Sequence, residues 1–293
     1  MSFKCKIGFH NWKGCKCSNC GKVRKQQHDW SVDFEKCSIC GFEKPKIEWV
    51  DIPSGTFLMG SPESEADRDD NEIQHQVSLN AFRMSKYAIT FKQYDLFCDA
   101  TGRKKPYDSS WSRNKRPVIF VSWNDATDFA TWLGCRIPTE AEWEYACRAG
   151  TTTPFNTGKN LSTEQANFHG HYPYRNNDTA AEKKLRKSYG SFSPDLTGLF
   201  REKTSPVGSF SPNKWGLYDM HGNIYEWCSD FYGDYSSEKQ SNPTGAETGN
   251  YHVIRGGAWN SFGMMCRSAS RGSAKAERKD NMVGFRIVTS SIN

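Results

Sequence analysis

Apolar and polar positions follow a helical period in three stretches of this chain, all between residues 90 and 150. "TFKQYDLFCDATG" (90–102) opens on a capping box, Thr90 to Gln93, puts Tyr94, Phe97 and Cys98 on one face, and stops at Gly102. "SWNDATDFATWLG" (122–134) runs from a Ser122 cap to Gly134, and "PTEAEWEYACRAG" (138–150) from a Thr139–Glu142 capping box to Gly150. From 151 onward the pattern changes: Gly, Ser, Asn and Trp abound, and apolar runs are as short as "HVIRGGAW" and "GFRIV". The expectation is a loop-rich α+β domain whose loops are held by buried aromatics and a bound ion.

The first 47 residues read differently. They carry ten Lys/Arg against four acids, a surplus of six that equals the net charge of the whole chain. The remainder is balanced and has no surplus to neutralise phosphates, so nucleic acid is not an expected partner. "HNWKGCKCSNCGK" (10–22) recurs loosely as "HDWSVDFEKCSICGF" (28–42). Cys17-x₂-Cys20 and Cys37-x₂-Cys40, 16 residues apart, fit the spacing of a closed tetrahedral zinc site, with a glycine after each pair for the knuckle turn. Such a site stabilises a module too small to bury a core. Cys5, His10, Cys15 and His28 match no such template and remain either a second site or neighbours of the first. The charged, proline-containing stretch after this module suggests three parts: a zinc-ribbon-like module (1–43), a linker (44–49) and a large domain (50–293). No signal-peptide-like or membrane-spanning apolar run is present, and clustered cysteines suit a reducing compartment, so a cytoplasmic protein with no membrane partner is expected.

"IPSGTFLMGS", "VSWNDATDFATWLG", "CRIPTEAEWEYACRAG", "GLYDMHGNIYEWCSD", "HVIRGGAWN" and "VGFRIV" follow one another in an order that resembles the formylglycine-generating enzyme, or sulfatase-modifying factor, family. The resemblance spans about residues 48–288 and implies a C-type-lectin-like fold. It also implies a calcium site at "DMHGNIYEW", with side chains of Asp219 and Glu226 and carbonyls of Gly222 and Ile224 as ligands, hard oxygens of the kind Ca²⁺ takes. A second family calcium site would use Asn167, but the acidic partner expected near 199–201 reads Leu-Phe-Arg.

Active members of that family use two cysteines after the Arg-Gly-Gly motif to hold copper and oxidise a substrate cysteine. Laid on "GGAWNSFGMMC", the second falls on Cys266 and the first on Ser261, a hard hydroxyl that is a poor ligand for soft Cu(I). The segment therefore reads as a binding surface. The fold resembles that of the variable proteins of diversity-generating retroelements, which display changeable residues between the Gly-Gly and Gly-Phe-Arg motifs, here within 255–288. The expected ligand-binding residues, for a protein or other macromolecular ligand, are Trp259, Asn260, Ser261, Phe262, Gly263, Arg267, Ser270, Gly272, Ser273 and Ala274, within a displayed stretch 260–283. The competing reading is an oxidase, using copper on Cys266 or iron on the His169-x-His171 pair. Cys98, Cys135, Cys147 and Cys228 read as packing residues.

Overall fold

The structure, a computed structural model, describes residues 12–13, 16–17, 36–174 and 198–290. The chain divides into two compact units, 1–46 with 92–105 and 47–91 with 106–293.

In the first unit, strands β1 (Trp12–Lys13) and β2 (Lys16–Cys17) pair antiparallel. The Cys37–Cys40 stretch closes as a knuckle: the Gly41 amide donates to Cys37 O at 2.8 Å, and the Cys37 amide to Phe42 O at 2.8 Å. Gly41 has φ +75, a left-handed conformation that a side chain resists, which accounts for the glycine after the second cysteine pair. Cys17 and Cys37 are buried and Cys40 is half-buried, while Cys20, Cys5, His10, Cys15 and His28 lie outside the described residues. Helix α1 (Phe91–Thr101) contributes most of its length to this unit, with Tyr94, Phe97 and Cys98 on its buried face as their spacing predicts.

The second unit holds three small sheets. Strands β3 (Trp49–Ile52) and β12 (Val288–Ser290) flank β6 (Phe82–Ser85), so the start and end of the unit share one sheet. The last residue of the expected linker, Trp49, thus sits in a strand, since its pairing with Ser85 adds ladder bonds that a free linker would forgo. Strands β4 (Gly55–Met59) and β5 (His75–Leu79) pair, with β8 (Gln240–Ser241) beyond β5. The largest sheet has the order β10-β9-β7-β11, from β7 (Tyr225–Phe231), β9 (His252–Arg255), β10 (Arg271–Ala274) and β11 (Val283–Gly284).

Helices α2 (Trp123–Trp132) and α3 (Glu140–Arg148) start at Ser122 and Thr139, each with a full capping box. Helix α3 is buried on every side despite three glutamates and an arginine. Its charges are matched one by one: Glu140 by Arg271, Glu142 by Arg136, and Glu144 by Arg148 and Arg255. Trp143 of this helix lies in the main core with Val77, Met84 and Val253.

Candidate functional site

Strands β9 and β10 pair from Arg255↔Arg271 to His252↔Ala274, so residues 256–270 form one long excursion between two paired strands. Gly256 and Gly257 begin it with φ +96 and +77. A Cβ on Gly257 would stand 2.5 Å from the Cys266 sulfur, so glycine here is what lets the excursion fold back on itself. The calcium-like motif locks it from below: the Gly222 amide donates to Gly256 O at 2.7 Å and the Trp259 amide to Asn223 O at 3.0 Å.

This geometry corrects the expected display surface. Arg267 is 1% exposed and forks onto Glu72 at 2.7 and 2.8 Å, with Glu65 at 2.7 Å. Arg255 is fully buried against Glu144 and the carbonyls of Ser268, Ala269 and Ser270. The arginines that frame the segment are internal cross-links, because a domain poor in regular structure ties its loops with charge-assisted bonds. Ser261, Gly263, Ser270 and Ala274 are also buried, Gly272 is half-buried, and Ser273 is exposed on β10. Of the excursion, Trp259, Asn260, Phe262, Met264 and Met265 reach the surface.

Neither copper position is presented for ligation. The Ser261 hydroxyl accepts from the Ala258 amide at 2.9 Å. Cys266 is 0% exposed in a cluster with Phe155, Phe168 and Tyr174, and burial pushes its thiol well above the ordinary range. One buried thiol and a backbone-bonded hydroxyl do not fit a two-thiolate copper centre. Cys147, also packed inside, has its thiol raised to about 12 by burial. His221 bridges this region, with Nδ1 2.7 Å from Cys266 O and Nε2 accepting from the Asn156 amide at 3.0 Å. Burial lowers it to about 4, so it stays neutral.

An aromatic face covers the outer side. His169 stacks on Phe200 at 3.8 Å and 4°, and Phe200 lies 5.9 Å from Trp259 at 14°, giving a column of three rings. Trp111 meets Trp259 edge-on at 5.4 Å, and Tyr172 lies 4.3 Å from Phe262. The His169 amide donates to Ser261 O at 2.9 Å, which fixes the column to the excursion. Burial, and then the neighbouring His171, lower the His169 pKa. The His169 and His171 rings lie 5.2 Å apart, and among the described residues no group of three or more His, Cys, Asp or Glu gathers as a metal-binding set. Sequence reasoning identified Trp259, Phe262 and the histidines but missed Trp111, Tyr172 and Phe200. Phe200 was visible only as the residue standing where an acid was expected.

At the calcium-like motif, both Glu226 oxygens are held by Arg286, at 2.6 and 2.9 Å, and Trp143 Nε1 donates to one of them at 2.7 Å. Asp219 Oδ2 accepts from the Gly208 amide at 2.8 Å, while Oδ1 is buried with no hydrogen-bond partner. Burial raises Asp219 to about 6. The orphaned Oδ1 fits a hard cation, whereas Glu226 would have to share its charge with Arg286.

A fold of short sheets and few helices, closed on a Gly-Gly excursion with an aromatic outer face, defines a C-type-lectin-like α+β domain of the formylglycine-generating-enzyme type. Residues 41–291 match the "Sulfatase-modifying factor enzyme 1-like domain", and the chain belongs to that family. The formylglycine-generating enzyme of Thermomonospora curvata is 30% identical over 81% of this chain and 91% of its own. The structure of PvdO from Pseudomonas aeruginosa superposes with a TM-score of 0.69 at 29% identity, over 84% of this chain and 95% of that one. Treponema denticola variable protein 1 shares the fold, with a TM-score of 0.60 at 22% identity over 83% and 95% of the two chains. The match to the serine/threonine-protein kinase pkn1 of Chlamydia caviae, 33% identical over 82% of this chain, spans only 37% of that relative's length. No helix among the described residues is long and apolar enough to cross a membrane.

Proposed function

We propose that this chain is a cytoplasmic ligand-binding member of the family, with the face built on His169, Phe200, Trp259 and Phe262 taking a protein partner, and without copper oxidase activity. The observation that carries the reading is the state of the two copper positions: Ser261 is tied to the backbone and Cys266 is sunk in the core against Gly257. Half-buried rings of this kind supply large contact area at small entropic cost. If the segment is diversified as in retroelement variable proteins, the positions free to change are Asn260, Phe262, Met264, Met265 and Ser273, because Arg267, Ser270 and Ala274 are internal. The identity shared with formylglycine-generating enzymes favours the oxidase as the competing reading.

Titration with Cu(I) against a competing chelator separates the two. No tight stoichiometric binding is expected beyond what the Cys17, Cys20, Cys37 and Cys40 thiolates take up, and tight binding abolished by Cys266→Ala would overturn the proposal. In the same preparation, selection from a random peptide library should enrich peptides whose binding falls at least tenfold in Trp259→Ala and Phe200→Ala, the loss typical of a central aromatic residue. Peptides insensitive to both changes would place binding elsewhere.

We further assign a structural zinc to Cys17, Cys20, Cys37 and Cys40, and a calcium ion to Asp219 with the carbonyls of Gly222 and Ile224 and a share of Glu226. Elemental analysis should find about one zinc per chain, lost in Cys37→Ser with Cys40→Ser. Calcium should raise Tm in the native chain and leave Asp219→Ala unchanged.

A further inference from the structure

A half-open cavity of about 410 Å³ lies where the N-terminus of α3 meets the end of β7 and the 233–246 loop, and it shares no residue with the aromatic face. Its volume is that of a small-ligand site. Asp230, 3% exposed, lines it. Asp230 Oδ2 accepts from the Glu140 amide at 2.9 Å and the Ser229 hydroxyl at 3.0 Å.

Three carboxylates, Glu140, Asp230 and Asp234, face this cavity against one guanidinium, Arg271. Arg271 is fully committed. It forks onto both Glu140 oxygens at 2.8 and 2.9 Å, donates to Gly233 O at 2.9 Å, and lies 3.7 Å from the Tyr235 ring centre. Its charge is used on Glu140, and Asp230 is left without a cation of its own. Two more groups point the same way. His75 Nδ1 lies 2.9 Å from Ile73 O, and since a carbonyl only accepts, Nδ1 carries a proton; in the neutral ring Nε2 is then an acceptor. The buried Tyr235 hydroxyl has the Glu140 carboxylate beside it to donate to, and its oxygen accepts from no donor. A cavity rich in acceptors, with one uncompensated buried carboxylate, lacks a cationic donor.

We propose that this cavity binds a small organic cation, a primary ammonium or guanidinium group of side-chain size, with Asp230 as its counter-ion and the Tyr235 hydroxyl and His75 Nε2 as further acceptors. An inorganic anion is disfavoured by the same charge count.

The charged and titratable groups around Asp230 are Glu140 of α3, Cys228 of its own strand and Arg136, with Arg271, Asp234, Tyr235 and His75 across the cavity, while His252 of β9 bonds its backbone. Arg136 is held by Glu142 in a fork with both contacts at 2.6 Å. Burial, and then the Glu140 charge, lift the Asp230 carboxyl to about 7. An arriving cation favours the ionised form, so binding releases a proton near neutral pH and tightens as pH rises through that value.

Calorimetry on the full chain with n-butylamine, n-butylguanidine and the neutral 1-pentanol tests this. Both cations should bind at least tenfold more tightly than the alcohol, with affinity rising about tenfold from pH 6 to pH 8 as Asp230 ionises. Asp230→Asn should weaken cation binding at least tenfold while melting cooperatively, and Tyr235→Phe should weaken it several-fold. Trp259→Ala should leave it unchanged, which keeps this outcome separate from the fate of the aromatic face. Equal affinity for 1-pentanol, no binding of either cation, or undiminished binding in a folded Asp230→Asn variant would each overturn the proposal.

Discussion

Glu226→Gln is expected to lower the unfolding free energy by about 3–5 kcal/mol, the cost of breaking a fully buried ion pair by removing one partner. Glu226 and Arg286 are 1% and 0% exposed, so water does not screen the charge left behind. The change keeps the side chain's shape but puts an amide N–H₂ where Arg286 or Trp143 needs an acceptor. Arg286 also donates to Ser85 O at 3.1 Å and Tyr218 O at 3.0 Å, so the damage reaches the sheet that joins the start and end of the unit. For a unit of this size the loss corresponds to a fall in Tm on the order of ten degrees. A double variant, Glu226→Gln with Arg286→Met, should recover part of it, because no uncompensated charge remains inside. A change of less than about 1 kcal/mol in the single variant, the range of a surface pair, would show that the pair does not hold the domain.

That pair also shows why the sequence disclosed the fold unevenly. Helices α2 and α3 were legible from Ser122 and Thr139 at one end and Gly134 and Gly150 at the other, because capping is a local bargain settled within four residues. The arginines were not legible. Arg286 finds Glu226 60 positions away and Arg267 finds Glu72 195 positions away, and nothing near either residue distinguishes an internal cross-link from a solvated charge. This is why "RGGAWNSFGMMCRSASR" reads as a binding surface throughout in sequence, whereas in the fold its arginines are a buried clasp and only Trp259, Asn260, Phe262, Met264 and Met265 of the excursion reach the surface. Cys266 could be judged from sequence only through the serine at 261. The fold adds the physical reason, a sulfur filling the space that Gly257 leaves open. The aromatic face was half legible: His169, Trp259 and Phe262 announce themselves by type. Phe200 joins them only because the chain brings residue 200 back beside residue 169.

The second large effect concerns Asp230, and its sign is opposite to that of most carboxylates. Glu72 and Glu140, although burial alone would raise them, are held below the usual range by Arg267 in the first case and by Arg271 and Arg255 in the second. Their contribution is present above the ordinary carboxylate pKa and is lost as pH falls through the lower folded value. Asp230 is lifted from an ordinary 3.8 to about 7. Between those values the folded chain binds a proton that the unfolded chain has released, so this group's contribution falls as pH rises and is smallest above about 7. Asp230→Asn is therefore expected to match the wild type near pH 4 and to exceed it at pH 8 by roughly 2–4 kcal/mol, taking about 1.4 kcal/mol for each tenfold change in proton affinity. Urea melts of the two proteins at both pH values measure the difference, and equal stability at pH 8 would contradict it. A stabilising change that removes cation binding is the signature of a group retained for its ligand at the expense of stability. Saturating n-butylamine at pH 8 should then stabilise the wild type and leave Asp230→Asn unaffected. This closes the cycle between the charge the fold buries and the cation the cavity lacks.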